Sequence, residues 1–179
     1  MTYLLTWKPD EWEYKKLQEY IESFNAGHTK QRWSCGTSKS ILVGSRVFLM
    51  SQGKGKVGIF GSGKVVEAPF EADHYSDAKK TALYIMVEFD KLYDPSTQIK
   101  IDREEVKRLD DKLSKAQGSG KRINDELATQ IEKLWAERVG FTSIPYPDEG
   151  ESDGYAEGAK KVISVNAYER NPDARMKCI

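Results

Sequence analysis

At 179 residues and 20.3 kDa, with 39% hydrophobic and 11% aromatic residues, the chain has enough apolar material for one core domain and an appendage. No run approaches the roughly 18 apolar residues that cross a bilayer, and residues 1–7 are too short and lack the basic start of a signal peptide, so a cytoplasmic protein without membrane contact is expected. The 28 basic and 28 acidic residues cancel, which by itself argues neither for nor against a polyanionic partner.

In chain order, residues 2–7 read as a first strand. Pro9 and Asp10 then mark a helix start, with Asp10 as N-cap and Glu13 completing a capping box. Leu17, Tyr20, Ile21 and Phe24 recur at helical spacing, a stripe suited to packing on a sheet, and the 25–27 stretch ends the helix. Short segments rich in β-branched and aromatic residues follow at 29–35, 46–50, 58–68 and 81–89, punctuated by glycine. They predict a small barrel or a strongly curved sheet, and with the helices an α+β fold. Two helical patterns, 103–116 and 124–137, are separated by the breaker Gly118-Ser119-Gly120. Pro145, Pro147, Gly150 and Gly154, with an acidic cluster, make 143–158 a linker, so the main domain is expected over 1–142. In the remaining 159–179, a short strand and a helix start at Asn171-Pro172-Asp173 read as the beginning of a further unit.

Charge is segregated along the chain. Between Glu22 and Glu67 there is no acidic residue, while Lys30, Arg32, Lys39, Arg46, Lys54, Lys56 and Lys64 supply seven cations. Such a stretch can hold phosphates without a basic isoelectric point, and it can equally be a solvated face.

Several catalytic and cofactor patterns fail on context. Gly53, Gly55 and Gly58 match G-x-G-x-x-G, but the dinucleotide motif needs those glycines to open a helix, and Ile59, Phe60, Val65 and Val66 continue as strand. The 58–64 stretch imitates a phosphate-binding loop, yet Val65 stands where the magnesium-binding hydroxyl belongs. His28 and His74 are the two histidines, and neither has a partner at ligand spacing, so neither a metal nor another cofactor is expected. Cys35 and Cys178, far apart in a reducing compartment, read as free thiols. With no nucleophile elbow and no carboxylate cluster, the chain is expected to bind rather than to catalyse.

Five stretches carry a resemblance: Tyr3-Leu4-Leu5-Thr6-Trp7-Lys8-Pro9, Arg32-Trp33-Ser34-Cys35-Gly36, Val43-Gly44-Ser45-Arg46-Val47-Phe48-Leu49-Met50, Gly58-Ile59-Phe60-Gly61-Ser62-Gly63 and Lys80-Thr81-Ala82-Leu83-Tyr84-Ile85-Met86-Val87-Glu88-Phe89. Together, over about residues 1–137, the sequence resembles the EVE domain of the PUA-like superfamily, which also holds the SRA and YTH readers of modified bases. The segment Gln117-Gly118-Ser119-Gly120-Lys121-Arg122-Ile123 looks like the closing element found when this domain heads a modification-dependent HNH endonuclease. The stretch Tyr168-Glu169-Arg170-Asn171-Pro172-Asp173-Ala174-Arg175, with Cys178-Ile179, resembles the lead-in to that nuclease, whose His-Gly and Cys-x-x-Cys segment does not follow here.

The resemblance implies a small curved PUA-like barrel or sheet flanked by helices, binding double-stranded DNA that carries 5-methylcytosine or 5-hydroxymethylcytosine. On the same analogy the full-length protein would be an endonuclease and a homodimer, since cutting both strands uses two nuclease sites. A flipped base needs aromatic or apolar walls and polar groups along its pairing edge. Trp33 sits beside Ser34 and Cys35 in the most cationic part of the chain; by itself it reads as a core tryptophan, whereas the resemblance makes it the pocket wall. Trp7 and Tyr84 are further wall candidates or core residues, and Trp12 and Trp135 read as packing or surface residues of helices. Asp73, His74 and Tyr75 form a polar and aromatic loop suited to a base edge or to solvent, while Arg32, Lys39, Lys54 and Lys56 are candidate phosphate contacts. The rival expectation is a YTH-like reader of N6-methyladenine in RNA, which demands a tighter aromatic cage.

Overall fold

Alternation along the strands divides the apolar residues of this protein between two cores. In the computed structural model, which describes residues 1–10, 14–74 and 77–140, β1 (Thr2–Trp7) sends Tyr3, Leu5 and Trp7 to one cluster and Leu4 to the other. The strand β3 (Arg46–Ser51) does the same with Val47 and Leu49 against Phe48 and Met50, following the two-residue period of the pleat. Both strands are therefore apolar nearly throughout, because each face of the sheet is covered.

The helix α1 (Tyr14–Asn25) lies on the first core. Leu17 and Ile21 are buried there and Tyr20 and Phe24 pack against it, as the helical stripe predicts. Its expected capping residue Glu13, with Trp12, lies outside the described residues; so do Tyr75, the 143–158 linker and the 159–179 segment. The second core is covered by α2 (Arg103–Leu109), α3 (Asp111–Ser114) and α4 (Asp125–Val139), which contribute Val106, Leu113, Leu127, Ile131 and Trp135.

The expected single helix over 103–116 is two. Asp110 adopts an extended conformation, φ −156° and ψ 109°, and its carboxylate accepts the Leu113 N–H as the N-cap of α3. A short side chain that competes for backbone donors breaks the helix there. Asp102 caps α2 in a reciprocal capping box with Glu105, and Asn124 caps α4 by accepting the Leu127 N–H.

With β2 (Lys30–Ser34), β4 (Gly58–His74), β5 (Asp77–Leu92), β6 (Ile101–Asp102) and β7 (Lys121–Ile123), the sheet runs β2-β5-β4-β3-β1-β7, and β6 pairs with β4. Neighbours are antiparallel except β1 and β3, which run parallel with Leu4 opposite Phe48. Register shifts at Leu49/Met50 and at four places between β4 and β5 bend the long strands. The result is a mixed α+β fold with an open, curved sheet flanked by helices, as expected. Among the described residues the ladder stops at β2 and β7 and does not close as a barrel. No helix among them is long and apolar enough to cross a membrane.

Candidate functional site

The site begins where β1 loses a neighbour. Its partner β7 covers only Thr2 to Leu4, so beyond Leu4 the strand presents an edge toward β2, the last strand at the other end of the ladder. Buried backbone groups at such an edge need partners, and side chains supply them. The Thr6 N–H donates to Ser119 Oγ at 3.0 Å, and the Thr6 carbonyl accepts the Trp33 indole N–H at 3.3 Å. The Gly120 N–H donates to the Leu4 carbonyl at 2.9 Å.

Gly36 and Gly120 let the two chain segments meet. Both have positive φ, 61° and 80°, and a Cβ on Gly36 would stand 2.6 Å from the Ser119 carbonyl oxygen, while one on Gly120 would collide with the Cys35 carbonyl. Residues 117–119 thereby form a wall across the gap between β1 and β2.

Between these edges lies a cleft of about 480 Å³, within the range of roughly 300–1,000 Å³ that small-molecule sites occupy. Trp7, Trp33 and Tyr84 supply aromatic surface; Thr6, Ser34, His74 and Ser119 supply neutral polar groups; Lys8, Lys16 and Arg32 bring cations and Glu19 a carboxylate. Tyr20 of α1 joins them, its ring edge-on to Trp33 with centroids 6.0 Å apart. Burial pushes the Tyr20 hydroxyl above its ordinary pKa, against the pull of the Arg32 charge.

The three aromatic candidates are firmly held. Trp33 is 3% exposed and also meets Phe89 edge-on at 5.9 Å; Trp7 is 5% exposed against Tyr14 and Phe60. Tyr84, 3% exposed, donates its hydroxyl to the Asp73 carbonyl at 3.2 Å. Arg32 lies on the Tyr84 ring, its guanidinium carbon 4.4 Å from the centroid.

Of the residues singled out in the sequence, Trp7, Arg32, Trp33, Ser34, His74 and Tyr84 line this one cleft. Cys35, Asp73, Lys39, Lys54 and Lys56 are not among its lining. The Cys35 thiol is fully buried, 3.6 Å from the Ser38 carbonyl, and burial pushes its pKa up. Asp73 stands exposed near the end of β4, and Lys39 is exposed on the loop after β2. Lys54 is exposed beside Asp10, 3.9 Å away, and Lys56 Nζ lies 3.5 Å from the Thr97 carbonyl. Both lysines follow Gln52, whose N–H donates to the Trp7 carbonyl, so their loop sits at the Trp7 end of β1.

Arg46 has a different role from the one its place in the acid-free stretch suggests. Its guanidinium bridges Asp90 of β5 and Glu132 of α4, with its side chain 18% exposed. Its charge is committed within the fold. Thr6, Lys8, Lys16, Glu19, Tyr20 and Ser119 also line the cleft and were not singled out for it in the sequence, because they come from separate elements that only tertiary packing brings together. Among the described residues no group of three or more His, Cys, Asp or Glu side chains is placed to hold a metal ion.

No family model and no curated protein matches the sequence. Solved structures do match the fold. A hypothetical protein from Leishmania major superposes with a TM-score of 0.54 at 15% identity, over 78% of this chain and 96% of that one. A protein from Pseudomonas syringae gives 0.53 at 19% identity, over 75% and 99%. The human THYN1 protein, whose structure is a complex with 5-methylcytosine-containing DNA, gives 0.51 at 12% identity, over 75% and 96%. At these identities the likeness is one of fold.

Proposed function

We propose that this chain is a DNA reader whose cleft receives a modified cytosine, 5-methylcytosine or 5-hydroxymethylcytosine, flipped out of the duplex. One observation carries the reading: aromatic surface, neutral hydrogen-bonding groups and three cations converge in a single cleft of about 480 Å³ at the open edge of the sheet. Flipping a base costs a few kcal/mol of unstacking, which a pocket recovers through apolar walls and polar contacts along the pairing edge. Lys16, Lys39, Lys54 and Lys56 are then the cations assigned to phosphates on either side. The fold shared with human THYN1, itself crystallised with 5-methylcytosine-containing DNA, supports the same assignment.

In this reading the chain recognises and does not cut; as an EVE-type domain it supplies the specificity of a longer HNH endonuclease, which would act as a dimer. Duplex incubated with the chain and magnesium should stay intact. The decisive measurement is fluorescence anisotropy with otherwise identical duplexes carrying cytosine, 5-methylcytosine, 5-hydroxymethylcytosine or N6-methyladenine, beside a single-stranded RNA carrying N6-methyladenine. One methyl group in an apolar pocket is worth about 1–3 kcal/mol, so a preference of roughly 10- to 200-fold for a modified cytosine is expected. Equal affinity for modified and plain duplex ends the proposal, and tightest binding to the RNA replaces it with a YTH-like reader.

A further inference from the structure

We propose that Arg32 is a specificity-determining residue, its guanidinium providing the plane on which the flipped base stacks. This rests on the base-binding reading above and assigns to that site a wall other than its tryptophans. Trp7, Trp33 and Tyr84 are each 5% exposed or less, and each ring packs against another aromatic residue. A base entering the cleft therefore meets only the small part of each ring that lines it. Arg32 is half-buried, lines the cleft and already lies over Tyr84 at 4.4 Å.

Register explains the placement. Arg32 pairs with Met86 and Ser34 with Tyr84, so Arg32 and Tyr84 are diagonal neighbours on one face of the sheet, within reach of a long side chain. Gln31 and Trp33 point the other way, into the protein. A guanidinium is planar, always charged and more weakly hydrated than an ammonium, and it stacks on aromatic faces. With the guanidinium over Tyr84 and lining the cleft, the side away from that ring would be offered to a base, and base stacking on arginine planes is an established mode of nucleic-acid recognition. Lysine keeps the charge and loses the plane.

The test uses the whole chain with Arg32→Lys and Arg32→Ala, titrated against plain and 5-methylcytosine duplexes over a range of salt, with thermal unfolding measured beside it. Arg32→Lys, which keeps the charge and loses the plane, should lose about 5-fold or more of the preference for the modified duplex, and Arg32→Ala should lose at least as much. If Arg32 instead contacts phosphate, Arg32→Lys retains binding and Arg32→Ala weakens both duplexes alike and lowers the salt slope by about 1, which overturns the proposal. A fall in melting temperature with equal losses on both duplexes makes Arg32 a packing residue and also overturns it. Wild-type protein without a preference removes the base-binding reading and this proposal together, whereas a wild-type preference that survives in Arg32→Lys removes only the proposal.

Discussion

At the scale of single residues, Trp33 joins the core to the cleft. Its indole N–H is the partner of the Thr6 carbonyl, an acceptor that β7 would satisfy if it continued past Leu4. Leaving a buried polar group unpaired costs about 1–3 kcal/mol, and truncating a buried tryptophan to alanine costs about 3–5 kcal/mol. Trp33→Phe, which keeps an aromatic ring and loses the donor, should therefore lose about 1–3 kcal/mol in chemical denaturation while retaining its preference among duplexes. Trp33→Ala should lose more and weaken all binding together. A Trp33→Phe protein as stable as wild type would show that the bond to Thr6 contributes nothing. The residue type and its cationic surroundings were visible in the sequence; that both its neighbours across the gap and its packing partners would bury it depends on Tyr20 and Phe89, which come from other elements.

At the scale of elements, the cleft exists because the 117–120 segment is held against the turn after β2. Gly120 has φ 80° and sits on the Cys35 carbonyl, so Gly120→Ala meets both backbone strain and a backbone clash that no rotamer relieves. Such a substitution should cost more than about 1 kcal/mol, and displacement of Ser119 should weaken discrimination between modified and plain duplexes. Thermal unfolding with the same titration reads both; a Gly120→Ala protein unchanged in melting temperature would mean that this contact is not needed. The central strands and the helices were legible because alternation and helical spacing report one-sided burial directly. The end of β4 was not: the strand continues from the expected Ala68 to His74 through Pro69, Glu71 and Asp73. Main-chain pairing with β5 sustains it there, and Pro69 falls in the register gap between Glu67 and Phe70, where its missing N–H breaks no ladder bond. The two-residue β6 and three-residue β7 carry too few positions to show any period, although β7 decides where the edge of β1 opens.

At the scale of the whole molecule, the fold redistributes charge that the sequence presents as one cationic block. Arg46 is drawn from that block into an ion pair network with Asp90 and Glu132, whereas Lys8 and Lys16, which lie outside it, are brought to the cleft by β1 and α1. Membership of the acid-free stretch thus does not by itself separate a cation held within the fold, as Arg46 is, from those left on the surface. Each phosphate neutralised releases counterions, so affinity for any duplex should fall with salt with a log–log slope of about −0.9 per contact. Lys54 and Lys56, exposed on one loop at the Trp7 end of β1, should each contribute about one unit of slope, and Lys54→Ala with Lys56→Ala should weaken plain and modified duplexes equally. Arg46→Ala should leave the slope unchanged and lower stability instead, because it removes the partner shared by Asp90 and Glu132 and lies outside the cleft lining. Titrations of these variants at several salt concentrations separate the two kinds of cation: a slope that drops in Arg46→Ala, or that is unmoved when both lysines are removed, would overturn this assignment of the phosphate contacts.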